Sequence, residues 1–157
     1  MNRPAPSTPA WRWYRWGEIS TDLLYQLLRL RSEVFVVEQA CLFPDMDGLD
    51  PQCEHLCGTD KDGTVVAYAR LLPPGLKHPE AALGRVVTAA AVRGSGAGRA
   101  LMREALAGCH ARYPGHAVRI GAQQRLERFY IEFGFVTVSD PYLEDGIPHL
   151  DMLLSPR

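Results

Sequence analysis

Between an apolar, β-branched run, L83-G-R-V-V-T88, and a helix-spaced one, Ala100, Leu101, Ala105 and Leu106, the chain places Gly94, Gly96 and Gly98 at alternate positions. The pattern predicts a buried strand that feeds a glycine turn, which in turn opens a helix. Glycine lets backbone approach a ligand closely because no Cβ stands in the way. The first turn of a helix leaves its N–H groups unpaired, and the helix dipole favours negative charge beside them. A turn of this kind is a cradle for a diphosphate. Three glycines ahead of a helix are costly unless backbone access is needed, and the plain alternative is a turn with no ligand. Two phosphate loops fail on the residues themselves. A P-loop needs Lys and then Ser or Thr after its last glycine, where this chain has Arg99-Ala100. A dinucleotide loop needs G-x-G-x-x-G, and Gly94-x-Gly96-x-Gly98 is out of phase with it. What is left is R-x-x-G-x-G, from Arg93 to Gly98.

The chain has 157 residues, 46% hydrophobic and 22% charged, which suits one globular domain with a sizeable core. Residues 1–10, with Pro4, Pro6 and Pro9, are expected to be a flexible extension, and 11–157 the domain. The aromatic stretch 11–16 reads as a first strand, with the core or a homodimer interface open to its rings. Ser20 or Thr21 caps a helix carried by Leu23, Leu24, Leu27, Leu28 and Leu30 and fading near Glu38. A loop follows over 44–51. Strands are expected near 56–58 and over 64–72, 83–88, 117–122, 135–139 and 149–154, with turns at Asp62-Gly63 and Asp145-Gly146. Helices are expected from Ala100 to near Gly108 and over 125–133, the latter stopped by Gly134. This order predicts an α/β domain with a mixed sheet.

A net charge of −1 gives no global reason to seek nucleic acid or an anionic membrane. No apolar run approaches the roughly 20 residues that span a bilayer. With no apolar leader at the N-terminus, Cys41, Cys53, Cys57 and Cys109 read as reduced thiols of a cytoplasmic protein. C53-E-H-L-C57 has no second ligand pair downstream, so no metal is expected there. Asp45, Asp47 and Asp50 form D-x-D-G-x-D, but Leu56 stands where a calcium loop needs Glu. They read as an acidic rim that attracts a cationic amine, or as a solvated loop.

The turn at 93–98 is similar to the coenzyme A site of the GNAT acetyltransferases. The resemblance extends to L30-R-S-E-V-F-V-V-E-Q39, D45-M-D-G-L-D50, V66-A-Y-A-R70, L83-G-R-V-V87, G121-A-Q123, R128-F-Y-I-E-F-G-F135 and E144-D-G-I-P-H149. Together these resemble the family's ElaA-like branch from Trp13 to Leu153. The resemblance implies the GNAT fold, a central mixed twisted sheet of about seven strands flanked by about four helices. It implies acetyl-CoA as cosubstrate and no metal. The pantetheine arm would pair with the backbone of Val86, Val87 and Thr88 in a gap between two parallel strands. The diphosphate would sit on the amides of Arg93, Gly94, Ser95, Gly96, Ala97 and Gly98, with Arg99 and Ala100 completing the turn. Gln123 stands where many relatives place Asn near coenzyme A. The reaction implied is direct transfer of acetyl to a primary amine, and the lack of a basic or extended docking segment favours a small-molecule acceptor.

Such a transfer needs a neutral amine, a stabilised oxyanion and a proton for the leaving thiolate. The resemblance makes Tyr130 that acid and the cofactor's neighbour; its plain alternative is packing with Phe129 and Phe133. Glu38, Glu144, His149 and His55 are the candidate bases, and the sequence does not rank them. Arg31 and Arg85 lie in apolar segments, where an unpaired charge is costly. They are expected to pair with a carboxylate such as Glu38, or to join Asp45 and Asp47 in binding substrate. Two rivals keep the fold: a non-catalytic acyl-CoA-binding sensor or interaction module, and an acyl-homoserine lactone synthase. The latter shares R31-S-E-V-F35 but lacks the full glycine turn. A thioesterase would need a nucleophile elbow, which is absent from the sequence.

Overall fold

Eight consecutive buried positions make Val65–Leu72 the strand around which the sheet assembles. In the computed structural model, which describes residues 7–157, it is the third of eight strands. These are β1 (Ala10–Arg15), β2 (Glu54–Thr59), β3 (Val65–Leu72), β4 (Ala81–Thr88), β5 (Val118–Gln123), β6 (Val136–Thr137), β7 (Tyr142–Glu144) and β8 (Ile147–Leu154). They form one mixed sheet in the order β1-β2-β3-β4-β5-β8-β6, with β7 also on β8. Three α-helices cover it: α1 (Thr21–Arg31), α2 (Ala97–Arg112) and α3 (Glu127–Ile131).

The two faces carry separate cores. Leu27, Leu30 and Val34 pack with Tyr68 and Val87 on one face. Leu101, Met102, Ala105 and Leu106 of α2 pack with Ala67, Ala69, Leu71 and Leu83 on the other, joined by Tyr130 of α3. α1 begins where expected: Ser20 accepts a hydrogen bond on its hydroxyl from the Leu23 N–H at 3.1 Å. Beyond Arg31 the helix widens into a π-helical turn over Ser32–Glu38. Among the described residues no helix is long and apolar enough to cross a membrane.

Several details differ from expectation, beginning with eight strands for about seven and, among the described residues, three α-helices for about four. β1 begins at Ala10 and Pro9 is buried, so the sheet takes the end of the predicted extension, whose residues 1–6 lie outside the described ones. α2 does not stop near Gly108 but runs to Arg112. Glycine stands there for space, since a Cβ would lie 2.2 Å from the Trp13 ring. The first arm of the closing hairpin is broken. β6 and β7 lie along the same strand β8, pairing with residues 152–153 and 147–149 respectively, and Asp140-Pro141 interrupts them because proline cannot donate to the ladder. The Asp145-Gly146 turn therefore joins β7, not 135–139, to β8.

Candidate active site

β4 and β5 run parallel but pair only through Ala81–Leu83 and Val118–Ile120. Past Leu83 they part. The register between β3 and β4 shifts between Tyr68 and Arg70, and Arg85 opposite has φ 52°, a left-handed conformation rare outside glycine. That bulge turns the carboxyl half of β4 away from β5. The Ala89 N–H bonds the Val66 carbonyl at 2.8 Å, on the β3 side. Peptide groups alternate along a strand, so those of Val87 also face β3, while those of Val86 and Thr88 face the gap. Of the three residues expected to offer backbone to the gap, Val87 is thus committed to Tyr68. Ligands of open α/β sheets bind at such carboxyl ends.

The glycine turn stands directly beyond. Gly94 and Gly96 have φ of 77° and 87°, and a Cβ on either would meet nothing within 4 Å. Conformation, not crowding, is what calls for glycine there. Gly96 caps α2, and the first helical bond runs from the Ala100 N–H to its carbonyl at 3.0 Å. Among the described residues the N–H groups of Gly94, Ser95, Gly96, Ala97, Gly98 and Arg99 form no short, well-aligned hydrogen bond. Six successive bare donors are unusual for backbone. The arginines flanking them are engaged with carboxylates in solvent. Arg93 donates to both oxygens of Glu38, at 2.5 and 3.0 Å, and from Nη2 to the Thr88 carbonyl at 3.2 Å. Arg99 holds Glu132 at 3.0 Å.

Tyr130 is buried against Phe129 and Phe135, and burial pushes its phenol up to about 12. Gln123 ends β5, where its amide donates to Gln39 at 3.2 Å and its carbonyl accepts from Arg125 at 3.0 Å. Across the ladder from Gln123 is His149. Its Nδ1 lies 2.7 Å from the Ile147 carbonyl, which can only accept, so Nδ1 carries the hydrogen and Nε2 is the basic nitrogen. Nε2 is 3.5 Å from Glu144, which brings together two of the candidate bases. Gln123, Gln124, Arg125, Ile147 and Pro148 line a groove of ≈ 330 Å³. A comparable groove between Trp13 and Arg112 lies at the far sheet edge, away from the gap.

The expected acidic rim is not a rim. Arg31, with 0% of its side chain exposed, donates to Asp45 and Asp50, each at 2.8 Å. Arg70 holds Asp47 at 2.7 Å and Asp50 at 3.0 Å, and Arg85 holds Asp45 at 2.8 Å. The three aspartates and three arginines neutralise one another. Arg31, Arg85, Asp45 and Asp47 are thus paired within this cluster, and the carboxylate partner of Arg31 and Arg85 is not Glu38, which belongs to Arg93. The Arg70 hydrogen bond holds Asp47 far below the usual carboxylate range. Burial pushes Asp50 up, but the hydrogen bonds and charges of Arg31 and Arg70 together outweigh that and keep it low. His55 is enclosed between the Tyr68 hydroxyl and the Asp50 carbonyl, and burial lowers it, so it is no base for an external amine. Arg70 and Gln39 escaped notice. Arg70 carried the same signal as Arg31 and Arg85, a charge in an apolar segment; Gln39 carried none.

The chain matches the acetyltransferase (GNAT) domain over residues 35–156. It is 47% identical over 143 residues to the UPF0039 protein sll0451 of Synechocystis, covering 91% of this chain and 93% of that one. It is 42% identical over 144 residues to ElaA of Escherichia coli, covering 90% and 94%, and the ElaA crystal structure superposes with a TM-score of 0.88. A crystal structure of an acyl-CoA N-acyltransferase from Pseudomonas aeruginosa gives 0.90 at 39% identity, over 94% of this chain and 100% of that one. With its split parallel strands and bare glycine turn, the chain belongs to the GNAT acetyltransferase family, whose reaction class is acyl transfer. Within that family it falls in the ElaA-like branch.

Proposed function

We propose that this protein transfers acetyl from acetyl-coenzyme A to the primary amine of a small molecule. The reading is carried by the row of unpaired N–H groups at 94–99, set at the carboxyl ends of two strands that have parted. Those donors suit a diphosphate. The gap-facing peptide groups of Val86 and Thr88 suit an amide-bearing arm that lies in the gap like an added strand.

Tyr130 and His149 belong to opposite faces of the sheet. Leu150, Met152 and Leu154 belong to the cluster that holds Tyr130, so alternation turns His149 toward the α1 face. An amine arriving on that face gives a proton to His149 Nε2, and Glu144 stabilises the imidazolium. The amine nitrogen attacks the thioester carbon, the C–N bond forms, and the C–S bond breaks. Tyr130, a protonated phenol at neutral pH, passes its proton to the departing sulfur and is reprotonated through solvent by the second proton that the nitrogen sheds as the amide forms. The test is coenzyme A release across an amine panel. At least one amine should turn over, and Tyr130→Phe should lower kcat by about 10²-fold or more with cofactor affinity unchanged. Tight acetyl-CoA binding with no release on any amine would make this a binding module instead.

A further inference from the structure

Residues 38–40 cross the open end of the gap. Glu38 reaches one flank, through Arg93 to the Thr88 carbonyl at the end of β4; the next residue, Gln39, reaches the other, at Gln123 on the end of β5. The segment leaves the π-helical turn, with the Gln39 N–H on the Val34 carbonyl at 3.2 Å and the Cys41 N–H on Val36 at 3.1 Å. Ala40 follows at φ 49°, a conformation alanine rarely adopts. Its two side-chain ties are solvent-accessible or partly so.

We propose that Glu38 and Gln39 form a strap over the gap, latched by Arg93, and that capture of a diphosphate by Arg93 releases the latch and leaves the Glu38 carboxylate free on the amine side. The proposal rests on the reading of the turn as a coenzyme A site. Arg93 is the shared component. Its Nη1 and Nη2 are spent on Glu38, and Nη2 also covers the Thr88 carbonyl, one of the gap-facing groups an incoming arm needs. A diphosphate beside the bare amides of 94–99 carries more charge than one carboxylate and competes for the same guanidinium. The Arg93–Glu38 pair is exposed, so little is lost when it parts. Once it has parted, Glu38 is an unpaired carboxylate beside the mouth, which suits a cationic amine. In the closed state Arg93 holds Glu38 below its ordinary value, so release has a spectroscopic mark.

The experiment is calorimetric titration of coenzyme A into the wild type, Glu38→Gln, Arg93→Gln and the double variant, with NMR titration of the Glu38 carboxyl with and without coenzyme A. Removing the competitor should make Glu38→Gln bind about two- to five-fold tighter, the range that loss of an exposed ion pair allows. In the Arg93→Gln background the same change should gain nothing. Coenzyme A should also move the Glu38 titration upward. If the wild type binds while Glu38→Gln binds equally or more weakly, or if the Glu38 titration stays in place, the latch is wrong and the cofactor reading stands. If the wild type binds no coenzyme A, both fall together.

Discussion

Arginine meets carboxylate in two places in this molecule, and the two behave differently. Under the loop at 44–51, Arg31 and Arg70 are 0% and 2% exposed and meet Asp45, Asp47 and Asp50. At the glycine turn, Arg93 and Arg99 meet Glu38 and Glu132 in solvent. Pairs taken out of water are expensive to separate, because the abandoned partner stays buried with its charge. Pairs in water contribute about 0–1 kcal/mol and exchange partners easily. Burial thus decides which arginines are fixed parts of the frame and which are at the disposal of a ligand. The proposed anion site is built from the second kind, and the first kind holds the loop beside it.

The largest expected effect tests the fixed set. Arg31→Met leaves Asp45 with Arg85 alone and Asp50 with Arg70 alone in a buried network, and should cost about 3–5 kcal/mol in urea unfolding. A loss below about 1 kcal/mol would erase the distinction between the two regions. The same set should govern acid stability. Asp47 and Asp50 titrate lower in the folded chain than in the unfolded one. Their contribution is therefore complete above the unfolded value near ~4 and is lost as pH falls from there through the folded values. Arg70→Met, which takes the nearer arginine from Asp47 and one of two from Asp50, should flatten the acid limb of the stability–pH curve, and an unchanged limb would count against the assignment.

Smaller effects belong to the turn. Gly96→Ala forces a left-handed alanine into open space and should cost about 1–2 kcal/mol in thermal unfolding. Because the new methyl group would occupy the open space beside the turn, coenzyme A affinity should drop by more than stability does; equal affinity would argue that nothing approaches this backbone. The smallest effect sharpens the contrast. Glu132→Gln, which frees Arg99, should change stability by no more than about 0.5 kcal/mol. A cost comparable to Arg31→Met would show that the exposed pairs are structural too.

Local features were legible in the sequence and distant pairings were not. The Ser20 cap, the strands at 64–72 and 83–88, and the turn at 93–98 each follow from neighbouring residues, and the family resemblance joined them into one fold. Gly108 misled because a glycine late in a helix reads as its end, whereas Trp13, 95 positions earlier, is what requires it. β7 escaped because three residues after Asp140-Pro141 carry too little alternation to show. Asp45, Asp47 and Asp50 read as a free acidic surface because their partners sit on α1, β3 and β4, up to 40 positions away. The Arg93–Glu38 pair spans 55 positions. Spacing along a chain cannot reveal whether a charge is spent.

The most direct measurement compares coenzyme A with pantetheine, which has the same arm without the diphosphate, by calorimetric titration at low salt. If the bare amides at 94–99 hold the diphosphate, coenzyme A should bind at least about tenfold more tightly, and added salt should narrow the difference. Equal affinity for the two compounds, or no binding of coenzyme A, would contradict the account.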